Sequence, residues 1–467
     1  MKRSTLPLFI ALLITACTQT PAERLTQYVN PLIGSGGHGH VFVGASVPFG
    51  MVQAGPTSIN QAWDWCSGYH RSENSVIGFS HTHLSGTGIG DLFDITVMPI
   101  IGDVTYARGT IDNPHSGLWS PADRGNEITR PGYYAVPLTR YGIKAEITAT
   151  ERTGVHRYTF PASQEAAIVF DLENGGCWDR TTECHMQAVG NNRITGYRHS
   201  KGWAHAQRVY FAAETSKPFD KFELHGRDSM YGRASFGTTE GEQIILKVAI
   251  SPVSIEGAEA ALALETKGKD FETITAMAAE AWENELAKIE VTCRSDEEKT
   301  IFYTALYHCM MAPVLFSDTN GNYPGADGNI YNSPTPRYTN FSLWDTYRAK
   351  QPVMTIIEPQ RTGAFVASIV DICDKQGRLP VWHLWGNETN CMVGDPAIPT
   401  VADAIVKGIG GFDREKAFEA IKKTAASNER GKGLRNTYGY IPCELFGEAV
   451  AYELEYALAD GAAATAA

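Results

Sequence analysis

No Cys-x-x-Cys pair occurs in the chain, and no cysteine–histidine spacing suits a zinc site. Basic residues are in deficit: 40 Lys and Arg against 52 Asp and Glu give a formal net charge of −12. A surface of that sign repels phosphate backbones, which argues against nucleic acid as a partner. Long apolar runs are scarce. The run at residues 6 to 14 is shorter than the roughly 20 residues a bilayer span needs, and nothing later in the sequence is as continuous. The glycine-rich stretches are not followed by a Lys-Ser/Thr pair, so they are not phosphate loops.

What is present begins with "MKRSTLPLFIALLITACTQT". A basic start, a short apolar stretch and small residues before Cys17 have the layout of an export signal. The Ile-Thr-Ala-Cys ending resembles a bacterial lipobox, with Cys17 as the lipidated residue. The expectation for residues 1–17 is a lipoprotein signal, with membrane attachment only through the lipid anchor. Thr18 after the cysteine suits an outer-membrane lipoprotein. The other end, "LFGEAVAYELEYALADGAAATAA", reads as a helix whose apolar face is Phe446, Val450, Leu454 and Leu458. It runs to Ala467 without a basic last turn, so the chain reads as interrupted there.

At 467 residues the chain exceeds one ordinary domain. Residues 27–255 read as short strands. "AEITATERTGVHRYTFP" suggests two strands around a Thr-Gly turn, with Ile147, Ala149, Val155, Tyr158 and Phe160 inward. "AAIVFDL", "QRVYFAAE" and "EQIILKVAIS" are further runs of the same kind. Many short strands and no long helix predict a β-sandwich. The period then changes. Residues 256–290 read as a linker helix with Ile274, Ala278, Ala281, Trp282, Leu286 and Ile289 on one face. Ser295 followed by Glu298 predicts a capping box that opens a second helix. More helices are expected near 345–357, 361–376, 397–409, 413–427 and 446–466. The fold class predicted is an N-terminal β-sandwich followed by a partial (α/α)6 toroid over 291–467. Apart from Cys17, eight cysteines remain, and in an exported protein some could pair; Cys177 and Cys184 are the nearest candidates.

Five stretches carry candidate chemistry. In "NPLIGSGGHGHVFVGASVPFGMVQAGP" His38 and His40 flank Gly39, a weak metal pair with no third ligand nearby, and Phe42 could floor a sugar site. "WDWCSGYHRSENSVIGFSHTHLSGTGIGDLFDITVMP" offers the flat faces of Trp63, Trp65 and Tyr69, on which sugar C–H faces can stack. His81 and His83 there read more readily as a hydrogen-bonded turn than as ligands. Asp318, Asn320 and Asn322 begin like a calcium loop, but position six is not glycine and position twelve is not glutamate, so a polar turn is expected. Trp344 and Asp345 lie at a helix start with Arg348 one turn on; an N-cap aspartate with a local ion pair and an aromatic-plus-carboxylate sugar contact are both compatible with that spacing. Finally, "LPVWHLWGNETNCMVGD" sets Glu388 behind two tryptophans in a stretch with few charges.

Together these stretches, collinear from about residue 27 to 467, resemble glycoside hydrolase family 92, the calcium-dependent exo-α-mannosidases. The matches include "YVNPLIGSGGHGHVFVGASVPFGMVQAGP", "SGYHRSENSVIGFSHTHLSGTGIGDLFDITVMP", "FYTALYHCMMAPVLFSDTNGNYPGADG", "SLWDTYR" and "LPVWHLWGNETNCMVGDPAIPTVADAIVKGI". The resemblance implies a β-sandwich packed on an (α/α)6 toroid with the active site between them. It implies release of terminal mannose from glycans by an inverting mechanism, with calcium gripping the sugar's 2- and 3-hydroxyls. Trp344 and Asp345 match a Trp-Asp pair that contacts the terminal mannose. Trp65 and Phe42 fall near aromatic positions of the same pocket. The family's acid is expected in a Glu-Gly-Asn-x-Trp segment, its base in a Gly-Asn-Glu/Asp-Asp segment, and most calcium ligands around His-Gly-Asn-Glu. None of these segments occurs here. The resemblance therefore places the acid, the base and most calcium ligands outside these residues, and makes Glu388 a wall or support residue of the sugar site. It leaves two further readings: a surface lipoprotein that binds sugar without cleaving it, and a fragment of an enzyme.

Overall fold

A computed structural model describes residues 23–113 and 115–467. The signal and lipidation expectations, including Cys17, lie outside the described residues.

Strands fill the first half and pack as two antiparallel sheets. One runs, edge to edge, Ala45–Ser46, Gln53–Thr57, Gly78–Ser80, Thr96–Ile101, Ser163–Asp171, Tyr231–Thr238, Lys221–His225. The other runs Arg180–Val189, Arg193–Lys201, Gln207–Thr215, Glu242–Ser251, Thr153–Phe160, Ile143–Ala149, Tyr133–Leu138, Ile128–Arg130. Alternation sets the inner face. In Glu242–Ser251, Ile244, Leu246 and Val248 are buried at every second position. Each such side chain contributes about 1.5–3 kcal/mol when withdrawn from water. Phe170 of the first sheet stacks on Phe211 of the second at 5.9 Å, so the two inner faces meet in one core.

The hairpin of 143–160 departs from expectation in one detail. Its turn is Thr150 to Arg152, and Thr153 and Gly154 already pair with Ala249 and Val248 in the next strand. Gly154 serves close packing, not a turn: a Cβ there would stand 2.7 Å from the His81 ring. No disulfide forms among the described residues. Cys177 and Cys184 are both free thiols, which corrects the suggested pairing.

After Ser251 come helices α1 Ile255–Thr266 and α2 Phe271–Leu286, two elements in the span read as one linker helix. Ser254 caps α1 by accepting from Gly257 N, and Ala258, Ala261 and Leu262 cover Ala212 and Ala249 on the outer face of the second sheet. Asp270 caps α2. Ile274, Ala278, Trp282 and Leu286 of α2 are buried as the periodicity indicates, while Ile289 falls beyond its end. The Trp282 indole donates to Ser46 O at 2.7 Å and ties α2 to the first sheet.

Eight helices follow: α3 Asp296–Cys309, α4 Leu343–Thr346, α5 Lys350–Ile357, α6 Pro359–Gln376, α7 Ala397–Val406, α8 Arg414–Ala425, α9 Lys432–Tyr438 and α10 Ala449–Ala466. Ser295 caps α3 at Glu298 N, but Glu298 returns its carboxylate to Arg294 N at 2.9 Å instead of closing the box on Ser295. In α10 the expected apolar face is the wrong one. Val450, Leu454 and Leu458 are exposed, and Ala449, Tyr452, Tyr456 and Ala459 are buried. Tyr456 Oη donates to Arg430 O at 2.7 Å, so the inward stripe carries a hydrogen bond that leucine cannot make.

Candidate active site

The sandwich and the helices meet at a cleft of about 260 Å³. From the sandwich come Gln53, His83 and the loop Ser85-Gly86-Thr87; from the helical part come His308, Asn340, Asp345, Lys350 and Trp382. Gln53 Nε2 donates to Met311 O at 2.8 Å across the junction. Gly86 holds the sandwich loop in place by donating its N–H to His40 O at 2.8 Å, with φ at +71°. That conformation is open to glycine at no steric cost.

The helical wall is built on a small sheet of Phe341–Ser342, Trp382–Leu384 and Asn387–Glu388. Ser342 pairs with Trp382, so the indole of Trp382 stands beside the start of α4. Asp345 is exposed to the cleft and accepts a hydrogen bond from Ser342 Oγ. Its expected role as an N-cap is filled by Ser342, and the expected local ion pair is absent. Arg348 pairs with Glu455 of α10, and its guanidinium lies 4.3 Å from the Tyr347 ring centroid. Asp345 thus keeps carboxylate capacity for a ligand. Trp344, half-buried beside it, has an indole N–H without a partner.

Glu388 does not line the cleft. Its carboxylate accepts from three backbone amides: Val381 N at 2.8 Å, Trp382 N at 3.2 Å and Asn390 N at 2.7 Å. It folds the hairpin that presents Trp382. Trp382 in turn meets Trp203 of the sandwich edge-on at 4.8 Å. Phe42 is fully buried behind His83, ring centroids 4.9 Å apart. Trp65 stacks on His70 at 4.2 Å, next to Cys66, whose thiol donates to Thr87 O at 3.3 Å. Of the five predicted residues, the structure therefore brings Asp345 into the cleft, sets Trp344 beside it, places Phe42 and Glu388 directly behind its walls, and sets Trp65 farther back, behind Cys66. Trp382, His308, Asn340 and Lys350 were not singled out from sequence as site residues.

Burial sets the charge states. Desolvation pushes His83 down to about 3 and His308 to about 4, so both imidazoles are neutral near pH 7. His308 Nε2 has no partner. Lys350 is pushed down to about 8 by the same cause, its ammonium donating to Ala312 O at 2.8 Å and lying 5.5 Å from the Phe365 ring. Asp345 is the one carboxylate lining the cleft.

The other candidates resolve as internal hydrogen bonding. His38 Nδ1 and His40 Nε2 both reach Asp64 Oδ1, at 2.6 and 3.2 Å. His81 bonds Ile95 O and His156, and His83 bonds Gln53 O, each through a ring nitrogen. Asn320 and Asn322 are tied to Asn332 in the turn before a small hairpin. Among the described residues no group of three or more His, Cys, Asp or Glu side chains could hold a metal ion.

Two family models match the chain: the glycosyl hydrolase family 92 N-terminal domain over residues 28–251 and the glycosyl hydrolase family 92 catalytic domain over 257–467. A family GH92 alpha-mannosidase from Bacteroides thetaiotaomicron, solved in complex with mannoimidazole, superposes with a TM-score of 0.91 at 37% identity, covering 95% of this chain and 61% of that one. A family GH92 inverting mannosidase from the same organism superposes at 0.84 with 25% identity, covering 96% and 64%. An uncharacterized secreted glycosidase from Arthroderma benhamiae is 25% identical over 94% of this chain and 58% of its own length. The chain thus spans less than two thirds of each of these relatives.

Proposed function

The chain belongs to glycosyl hydrolase family 92, and from that membership we propose that it is the sugar-holding part of an exported exo-α-mannosidase that removes terminal mannose from glycans. The cleft between sandwich and helices carries the reading. It joins one free carboxylate, Asp345, to the indole of Trp382 and to a rim of hydrogen-bonding groups that includes the neutral His83 and His308 imidazoles and the Lys350 ammonium, which together can serve the hydroxyls and C–H face of a neutral pyranose. In this reading Asp345 accepts hydroxyl protons of the terminal mannose, Trp344 and Trp382 meet its C–H faces, and Trp65 supports the sandwich wall through Cys66. Phe42 and Glu388 act indirectly, by backing His83 and by fixing Trp382.

Inverting hydrolysis needs two carboxyl groups roughly 6.5–9.5 Å apart, one giving a proton to the leaving oxygen and one activating water. The cleft lining supplies Asp345 alone. We therefore assign neither the acid nor the base to residues 23–467, and propose that cleavage belongs to a longer polypeptide. Calcium enters on the same terms. The family implies it, yet the described residues form no set that would hold it, so no step here passes through the ion. The secreted fungal relative supports export. The lipobox at Cys17 supports a bacterial outer-membrane lipoprotein.

The reading that this chain by itself binds without cleaving is favoured by the single carboxylate. The test is mannose release from α-1,2-mannobiose by residues 18–467, with calcium and with chelator, beside calorimetry of mannose binding. Binding without release is expected, with Asp345→Asn abolishing the binding. Chelator-sensitive release would overturn the assignment and make Asp345, the carboxylate that lines the cleft, the first candidate for a catalytic role.

A further inference from the structure

The hairpin that presents Trp382 turns through Trp385 and Gly386 into a second hollow. It measures about 350 Å³ and shares no residue with the cleft. Its walls include Tyr210 and Arg208 from the sandwich, Phe316 and Trp385 from the helical part, and Asp327 on the loop of the small hairpin 322–332. Gly328, at φ +79° with open space around it, keeps one rim low.

Register explains why these side chains gather. On the outer face of the second sheet, Tyr197 lies opposite both His185 and Tyr210, and His199 lies opposite both Glu183 and Arg208. α1 covers this face at Ala212 and Ala249 and stops short of these six residues. The Tyr197 and Tyr210 rings are 5.8 Å apart, and Tyr197 stacks on His199 at 4.6 Å. An aromatic platform therefore leads into the hollow. Cross-strand aromatic pairing accounts for the rings' contacts with one another, but not for the polar groups left open around them. Arg208 gives its backbone carbonyl to the Trp385 indole at 2.9 Å. Its exposed guanidinium, and the exposed His205 imidazole, have no hydrogen-bond or ion-pair partner among the described residues. Asp327 stands in the same wall; its carboxylate accepts Asn329 N, Asn329 Nδ2 and Tyr331 Oη and keeps only its remaining lone-pair capacity for a ligand.

We propose that this hollow is a second saccharide-binding site, built for a neutral mannose-rich chain and separate from the cleft. The identity of the sugar rests on the function proposed above; the site itself does not. Ring faces suit the C–H face of a pyranose. A guanidinium fork and a carboxylate together serve hydroxyls as donor and acceptor. Glu183, close enough to feel the Arg208 charge, and Asp327 in the same wall offset that charge, which disfavours an anionic ligand. The size fits one or two sugar units. The site would hold a polymer while the cleft takes its end, which raises the local concentration of chain ends.

The test is retardation of the chain in a native gel cast with neutral α-mannan, with melting curves to verify folding. The wild type is expected to be retarded. Tyr210→Ala and Arg208→Met should each weaken retention about tenfold, the order expected for one aromatic or bidentate contact, and Tyr210→Phe should preserve it. Asp345→Asn should leave retention intact while abolishing binding of free mannose. Retention that survives Tyr210→Ala and fails in Asp345→Asn overturns the second site and leaves the function reading standing. Retention that needs Tyr210 in a protein whose cleft ignores mannose does the reverse. A wild type that is not retarded, or that is retarded only by phosphorylated mannan, overturns the proposal.

Discussion

The sandwich and the last helix have comparable apolar patterning and opposite fates. In the sandwich the alternating apolar positions of the central strands, such as Ile244, Leu246 and Val248, face inward, and even charged groups are buried together: Arg198, fully buried, donates to Asp94 Oδ1 at 2.6 Å and also binds Asp179. In α10 the apolar stripe Val450, Leu454 and Leu458 faces outward, with Leu454 68% exposed, while two tyrosines take the inner face. Periodicity says which residues share a face. It does not say which of two faces has a neighbour. That is decided by what the rest of the molecule presents, and against α10 it presents α7, α8 and the loop whose Arg430 carbonyl takes the Tyr456 hydroxyl. A Cβ on Gly394 would stand 2.4 Å from Glu455 Cβ, so the chain at Gly394 approaches α10 closely.

The comparison breaks first if the sandwich interior is not the stability reservoir. Phe170→Ala removes a ring stacked across both sheets and should cost about 3–5 kcal/mol, read as a loss of chemical-denaturation midpoint. A cost below about 1 kcal/mol, on the scale of an exposed site, would mean the two sheets do not share one core.

The buried polar part of the sandwich gives a sharper test, in pH. Asp91 is fully buried, accepts Ala204 N at 2.9 Å with one oxygen, and has no partner for the other. Burial pushes its carboxyl up to about 7. The folded chain therefore holds a proton that the unfolded chain releases above about 4. Stability from this group is complete below about 4 and is lost as pH rises through 7, at up to about 1.4 kcal/mol per pH unit. Asp91→Asn keeps the acceptor and removes the slope. The variant should gain on the wild type between pH 4 and 7 and keep a constant lead above that. A constant difference across the whole range would show that Asp91 is ionised in the fold.

At the junction between the two regions, Glu388→Gln should cost about 1–3 kcal/mol, since an amide cannot satisfy three N–H donors as a carboxylate does. Because Trp382 rides on that hairpin, the mannose binding proposed for the cleft should fall with it. Unchanged melting would show that Glu388 is not the brace its bonds describe.

These cases also show what could be read beforehand. The sandwich was legible because alternation is local: Ile147, Tyr158 and Phe160 needed only their neighbours to be placed inside. α1 escaped notice because its buried face is Ala258, Ala261 and Leu262, too small to stand out as an apolar stripe. Asp345 was legible as a carboxylate beside an aromatic; that it is free of the local ion pair needed the structure, which turns Arg348 to Glu455. Lys350, His308 and Gln53 were not, since the cleft is assembled from segments hundreds of residues apart and no spacing connects them. A lysine at the head of an otherwise apolar α5 was the one available signal. Glu388 stood out for the right reason, few charges nearby, but only the three amides around it show that the carboxylate folds the chain instead of meeting substrate.

The smallest effect on stability is expected where the comparison began. Val450, Leu454 and Leu458 lie one turn apart and, with exposed Leu445 nearby in sequence, form an apolar strip in water. Replacing Leu454 by Glu removes no buried contact, so the denaturation midpoint should move by less than about 0.5 kcal/mol. Association should respond instead. Contiguous apolar surface of this kind draws molecules together, so the wild-type chain should sediment as a concentration-dependent mixture of monomer and larger species. Leu454→Glu combined with Val450→Lys should shift it toward monomer, while the cleft, which uses no residue of α10, stays as it was. A large loss of stability would mean that α10 packs on the stripe its periodicity predicts and not on Tyr452 and Tyr456. An unchanged sedimentation profile would mean that the exposed strip is too narrow to drive association.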